Sequence, residues 1–155
     1  MRYKSALILI IGLIMVLKTN TVARGIRNNN PLNIREALGG GDAWNGERAE
    51  NTDADFEEFK SPEYGIRAAV KILQNYRDYY GLNTITGIIE RWAPSSENNT
   101  NAYVESVALN TGIDKSKVLA TTDYDALIKA MIYHENGSQP YSDEIILTGI
   151  NWGLA

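Results

Sequence analysis

Few side chains in this sequence stand where they can do acid–base chemistry, and Glu135 is the foremost. Tyr124, Leu127, Ile128, Met131 and Ile132 recur at spacings of three and four, and Glu135 continues the series after Met131 and Ile132. At helical periodicity this keeps the carboxylate on the apolar stripe. A carboxylate at the end of such a stripe is costly to ionise without partners. That setting suits a glycosidic general acid, which has to hold its proton until it delivers it to a leaving oxygen. Gly137 then breaks the helix, leaving Glu135 at a helix end facing a cleft. Spacing alone equally allows a carboxylate that fans out to solvent or pairs with Arg24 or Arg67.

The other acids read differently. Glu47, just after Trp44-Asn45-Gly46, lies on a loop rim and is the second choice for a catalytic or substrate-contacting carboxylate. Glu90 and Glu105 fall between apolar positions and should face water. Glu57 and Glu58, beside Phe56, Phe59 and Lys60, read as a solvated charge cluster. His134 is the single histidine and there is no cysteine, so a metal-binding histidine pair, a thiolate site and a cysteine nucleophile are excluded. No nucleophile-elbow Gly-x-Ser-x-Gly occurs, and no cofactor or metal is expected. His134 points roughly 100° away from Glu135 on a helix and suits a supporting or surface role.

The elements that have to position these residues are mainly helical. Ser61 and Pro62 open a helix whose face is Ile66, Ala69, Val70, Leu73 and Tyr76, ending at Gly81. A second helix is expected from about Thr84 to Trp92, and a third follows Asn98-Asn99-Thr100-Asn101, bears Tyr103, Val104 and Val107, and closes at Gly112. Asp123 should cap the helix of Glu135, and a last short helix runs from Ser142 to Gly149. The stretch from Arg24 to Lys60, rich in glycine and asparagine, predicts turns and a short hairpin instead of helix. The fold class is therefore mainly α, in the α+β sense: one helical domain over residues 24–155 with a small loop or β-hairpin lobe near its start.

Arg2 and Lys4, then an apolar run from Ala6 to Leu17, then Thr21 and Ala23, match a secretory signal peptide over residues 1–23. An uncleaved signal anchor is the alternative, and either places the domain outside the cytoplasm, with membrane contact only through that segment. Net charge is -4, with 15 basic against 19 acidic residues. That balance argues against a nucleic-acid partner, which needs a basic face.

Several segments are similar to known proteins. RGIRNNNPLN (24–33), WNGE (44–47), FEEFKSPEYGIRA (56–68), IIERWAPSSENNTNAY (88–103) and HENGSQPYS (134–142) together resemble a set of bacteriophage and prophage virion proteins, structural or lytic in role. Residues 29–34, Trp44-Asn45-Gly46 and the stretch from Phe56 to Tyr64 also resemble the later motifs of autolysin-type glucosaminidases. No acidic residue precedes Asn28, however, where those enzymes carry their glutamate. Residues 127–137 are instead similar to the helix that ends in the catalytic glutamate of lytic transglycosylases. The resemblance implies a lysozyme-like domain, circularly permuted so that the Asn28–Asn30 loop packs beside Glu135.

What it implies for function is cleavage of peptidoglycan glycan strands by a protein exported to the periplasm, the exterior or a virion, with virion components as further partners. Glu135 would act as acid and then base, and Glu47 as its partner would make the reaction a hydrolysis. Asn29, Asn30, Asn33, Trp44, Asn99, Tyr103 and Tyr141 are the expected groove contacts, since aromatics stack on sugar faces and amides bond N-acetyl groups. For each of these, core packing or loop capping is the alternative role. A non-catalytic virion or envelope protein that keeps a glycan-binding shell is the competing reading of the whole chain.

Overall fold

The computed structural model describes residues 21–36 and 44–155, and every regular element in them is helical. The signal segment falls almost wholly outside these residues. In chain order the helices are α1 (Arg24–Arg27), α2 (Pro62–Tyr80), α3 (Ile85–Trp92), α4 (Thr100–Thr111), α5 (Tyr124–Asn136) and α6 (Asp143–Leu154). Among the described residues no helix is long and apolar enough to cross a membrane.

The expected helices form where periodicity places them, with Pro62 in the first turn of α2, although the Ser61 side chain makes no capping hydrogen bond. Thr84 and Asn99 cap α3 and α4 by accepting from the amides of Gly87 and Ala102. Asp123 departs from expectation. It sits in a 3-10 turn over Thr121–Asp123, and its carboxylate accepts from the Ala120 amide and Lys117, so it braces the approach to α5 instead of capping it. The last helix is longer than expected, continuing past Gly149 to Leu154. Gly149 and Gly153 act there as contact residues: a Cβ on them would lie 2.6 and 2.5 Å from the Cβ atoms of Ile66 and Val70 on α2. Their missing side chains let α2 and α6 pack backbone to backbone, so the helix tolerates residues that would otherwise weaken it.

Leu127, Ile128, Met131 and Ile132 of α5 are fully buried, together with Ile66, Leu73 and Ile146 from α2 and α6. Each such side chain contributes roughly 1.5–3 kcal/mol by leaving water, which is what holds α5, and Glu135 at its end, in one place. The segment before α2 differs from the predicted hairpin. Two isolated antiparallel bridges, Arg35 with Phe56 and Glu47 with Phe59, are its only backbone pairings of strand type among the described residues. Residues 24–27, expected as turn, form the one-turn helix α1.

Candidate functional site

Glu135 lies in the last turn of α5, and Gly137 stops the helix in the left-handed region at φ 70. The carboxylate is half-buried and both its oxygens are held. Asn33 Nδ2 donates to Oε2 at 2.9 Å, and the Tyr103 hydroxyl donates to Oε1 at 2.8 Å. The asparagine-rich loop near the chain's start thus meets the acid 102 positions later. Asn136 ties the same two regions together by donating to the Pro31 carbonyl at 2.7 Å and to Ile132 of its own helix. Neither Arg24 nor Arg67 reaches Glu135; Arg24 pairs with Asp53 and Asp55.

This meeting depends on local backbone choices. Asn33 takes a positive φ of 51, which asparagine tolerates better than most residues, and so turns its amide toward α5. Gly25 makes room: a Cβ there would lie 2.6 Å from Asn33 Oδ1, 2.7 Å from Asn136 Oδ1 and 2.8 Å from the Asn30 carbonyl. Tyr103 is almost fully buried, and burial with the facing carboxylate holds its hydroxyl well above the usual range, so it stays a donor. The His134 ring stacks on Tyr103 at 3.7 Å between centroids. Burial pushes His134 below its ordinary value, favouring the neutral imidazole.

Glu135 sits where two recesses adjoin. The larger, of about 410 Å³, has aromatic walls from Trp44, Phe56, Tyr76 and Trp92, with Asn33, Glu57 and Asn98 among its polar groups. The smaller, of about 220 Å³, is lined by Asn98, Asn99, Ala102, Tyr103 and His134, and shares Glu135 and Asn98 with the first. A carboxylate between an aromatic trough and an amide-lined recess can exchange a proton with a bound polyol while the trough holds its apolar faces.

The structure sorts the remaining expected residues. Trp44 and Asn99 line these recesses, although the Asn99 Oδ1 is occupied as the α4 cap. Asn30 is a correction: it is fully buried, donates to the Ile34 and Glu57 carbonyls and accepts from the Ile34 amide, so it staples the loop and has no face to offer a ligand. Asn29 donates to the Phe59 carbonyl, again bracing the loop. Tyr141 packs against the core, away from both recesses, and its buried hydroxyl is pushed up to about 12. Glu47 accepts from the Trp44 amide at 2.9 Å and lines neither recess.

Glu57 and Glu58 are the second correction. Both are buried, not solvated. Glu58 accepts from the Thr52 amide and hydroxyl and pairs with Arg48; the Thr52 amide above all holds it below the usual carboxylate range. Glu57 is pushed up to about 7 by burial and by the negative charges of Glu47 and Glu36. Glu57, Glu58 and Phe59 are all buried, so no alternation along this stretch marks in the sequence which acid faces inward.

The chain matches no established protein-family model. It is 52% identical over 135 residues to Protein P5 of Pseudoalteromonas phage PM2, covering 87% of this chain and 84% of that protein. An identity of this extent shows shared descent along nearly the whole length, and the chain therefore belongs to the family of that phage protein.

Proposed function

We propose that the protein cleaves the glycan strands of peptidoglycan as a lysozyme-like, circularly permuted glycosidase of a phage or prophage, with Glu135 as general acid and then base. The observation that carries this reading is the position of Glu135 between the two recesses, gripped from opposite sides by Asn33 and Tyr103. A sugar face laid on Trp44 or Trp92 and an N-acetyl group bonded by Asn98 or Asn99 would set a bridging oxygen near the acid.

Protonated Glu135 gives its proton to that oxygen as the C–O bond breaks and an oxocarbenium-like centre develops. The ionised carboxylate then takes a proton from the attacking group, either water or a hydroxyl of the sugar itself. Tyrosine both donates and accepts, so the Tyr103 hydroxyl can follow Glu135 through both protonation states, while the Asn33 amide holds the other oxygen in place. The phage membership of the family supports action at a cell wall from a virion or from outside the cytoplasm.

Clearing of purified cell wall by the protein in a zymogram, lost on Glu135→Gln, is the expected result. Positioned acid–base catalysis contributes about 10²–10⁴ in rate, so the loss should be of that size. Mass spectrometry of the fragments then separates 1,6-anhydro ends from reducing ends. Clearing by both proteins, or by neither, refutes the role; neither clearing while the wall is still bound would mark a glycan-binding shell instead.

A further inference from the structure

The loop lobe carries a second carboxylate arrangement that glycan cleavage does not require. Glu36, Glu47 and Glu57 come from three separate stretches, yet one carboxylate oxygen of each lies within 4.8 Å of the other two. Glu57 is 2% exposed, and its Oε2 is buried without a hydrogen-bond partner. The other two acids are each pinned by a donor, Glu47 by the Trp44 amide and Glu36 by the Asn51 side chain. Among the described residues no lysine or arginine pairs with any of the three. Like charges at such range repel, and a buried carboxylate oxygen without a donor is costly. A cation among them removes both costs.

We propose that Glu36, Glu47 and Glu57 form a calcium-binding site that clamps the loop lobe. The donors are all carboxylate oxygens, which hard cations take and thiophilic or imidazole-seeking metals do not. Oxygens on opposite sides of one ion stand two bond lengths apart, about 4.6–5.2 Å for calcium and about 4.0–4.2 Å for magnesium. The three oxygens, all within 4.8 Å of one another, lie inside calcium's span. Three direct protein carboxylates in irregular loop suit calcium better than magnesium, which keeps several of its waters and takes one or two carboxylates. Waters or backbone carbonyls would complete the shell. The position also gives the ion work to do. Glu36 follows Arg35, Glu57 follows Phe56, and Glu47 is itself paired with Phe59, so the three ligands abut both isolated bridges of the lobe. One ion would thus supply the cross-linking that a strand ladder gives elsewhere. It would also steady Trp44 and Glu57 on the cleft wall.

The site stands independently of the glycan-cleaving reading, and its test does not use activity. The full chain, stripped with EDTA, is titrated with terbium chloride while tryptophan is excited; Trp44, bonded through its amide to Glu47, is placed to sensitise the emission. Saturable emission is expected, displaced by calcium chloride at lower concentration than by magnesium chloride, and calcium should raise the thermal midpoint. Glu57→Gln and Glu47→Gln should each weaken binding about tenfold or more, and Trp44→Phe should dim the emission while leaving the calcium-dependent midpoint shift. Glu36→Gln, at a half-buried ligand, serves if Glu57→Gln fails to fold by circular dichroism. No saturable emission and no midpoint shift overturns the site, as do glutamine variants that bind like the parent. Equal displacement by magnesium overturns the assignment to calcium.

Discussion

Glu135 and Glu57 line the same cleft and are held in opposite ways. Glu135 stands at the end of a helix whose buried face fixes it, with a hydrogen-bond donor on each oxygen. Glu57 stands in a lobe with two bridges and no ladder, beside two other acids, with one oxygen unpartnered. The first arrangement is complete from the chain's own groups, with a donor to each oxygen. The second depends on a proton or a cation, so it responds to both. One wall of the cleft holds its carboxylate by hydrogen bonds, and the other leaves a carboxylate oxygen unpartnered.

Apart from the loss expected of Glu135→Gln, the sharpest way to break this contrast is Gly25→Ala. The added methyl meets Asn33, Asn136 and the Asn30 carbonyl at under 3 Å, so the loop has to move off α5. Overpacking of this kind costs roughly 1–3 kcal/mol, and displacing a positioning group by about 1 Å costs on the order of 10² in rate. Urea unfolding and cell-wall clearing should both register it; a variant with full clearing would show that the Asn33 contact does not matter.

Tyr103→Phe is milder. It keeps the stack on His134 but removes the donor to Oε1. A hydrogen bond to a charged group is worth about 1.5–3 kcal/mol, so clearing should fall roughly ten- to a hundredfold with the fold intact by circular dichroism. Unchanged clearing would reduce Tyr103 to a packing residue.

The smallest effect sharpens the contrast from the other side. Glu57 moves from an ordinary 4.5 to about 7 on folding, so between those values the folded chain holds more protons than the unfolded one. Stability therefore declines as pH rises through that window. In EDTA the thermal midpoint should fall by several degrees between pH 5 and 8, and Glu57→Gln should flatten the slope. Asp53 works with the reverse sign: Arg24 holds it below the carboxylate range, so its contribution is present above about pH 4 and is lost as pH falls. Asp53→Asn should leave the neutral-pH slope untouched.

Much of the helical body was legible before any coordinates. Pro62, Thr84, Asn99 and Gly137 mark helix ends through local chemistry, and the stripe from Tyr124 to Ile132 leads to Glu135 by periodicity alone. The lobe was far less so. Asn30 looked like a groove residue because an asparagine advertises hydrogen bonds without saying to whom, and the structure turns every one of them inward. Glu57 and Glu58 looked solvated because acids usually are; Thr52, Arg48 and the neighbouring carboxylates, all brought by loop geometry, decide their surroundings. Gly149 looked like a stop because the need for a close approach by α2 is invisible within its own helix.

By itself, the chain's order of residues determined the presence of α2 to α6, the caps at Thr84 and Asn99 and the inward aim of Glu135, because each follows from spacings of three or four residues and from neighbours one turn away. Tertiary structure alone decided that Asn33 and Tyr103 grip that carboxylate and that three glutamates converge behind Trp44. These contacts join segments separated by ten to a hundred or so residues and obey no period. They exist because the buried faces of α2, α5 and α6 form the body against which the loops have to lie.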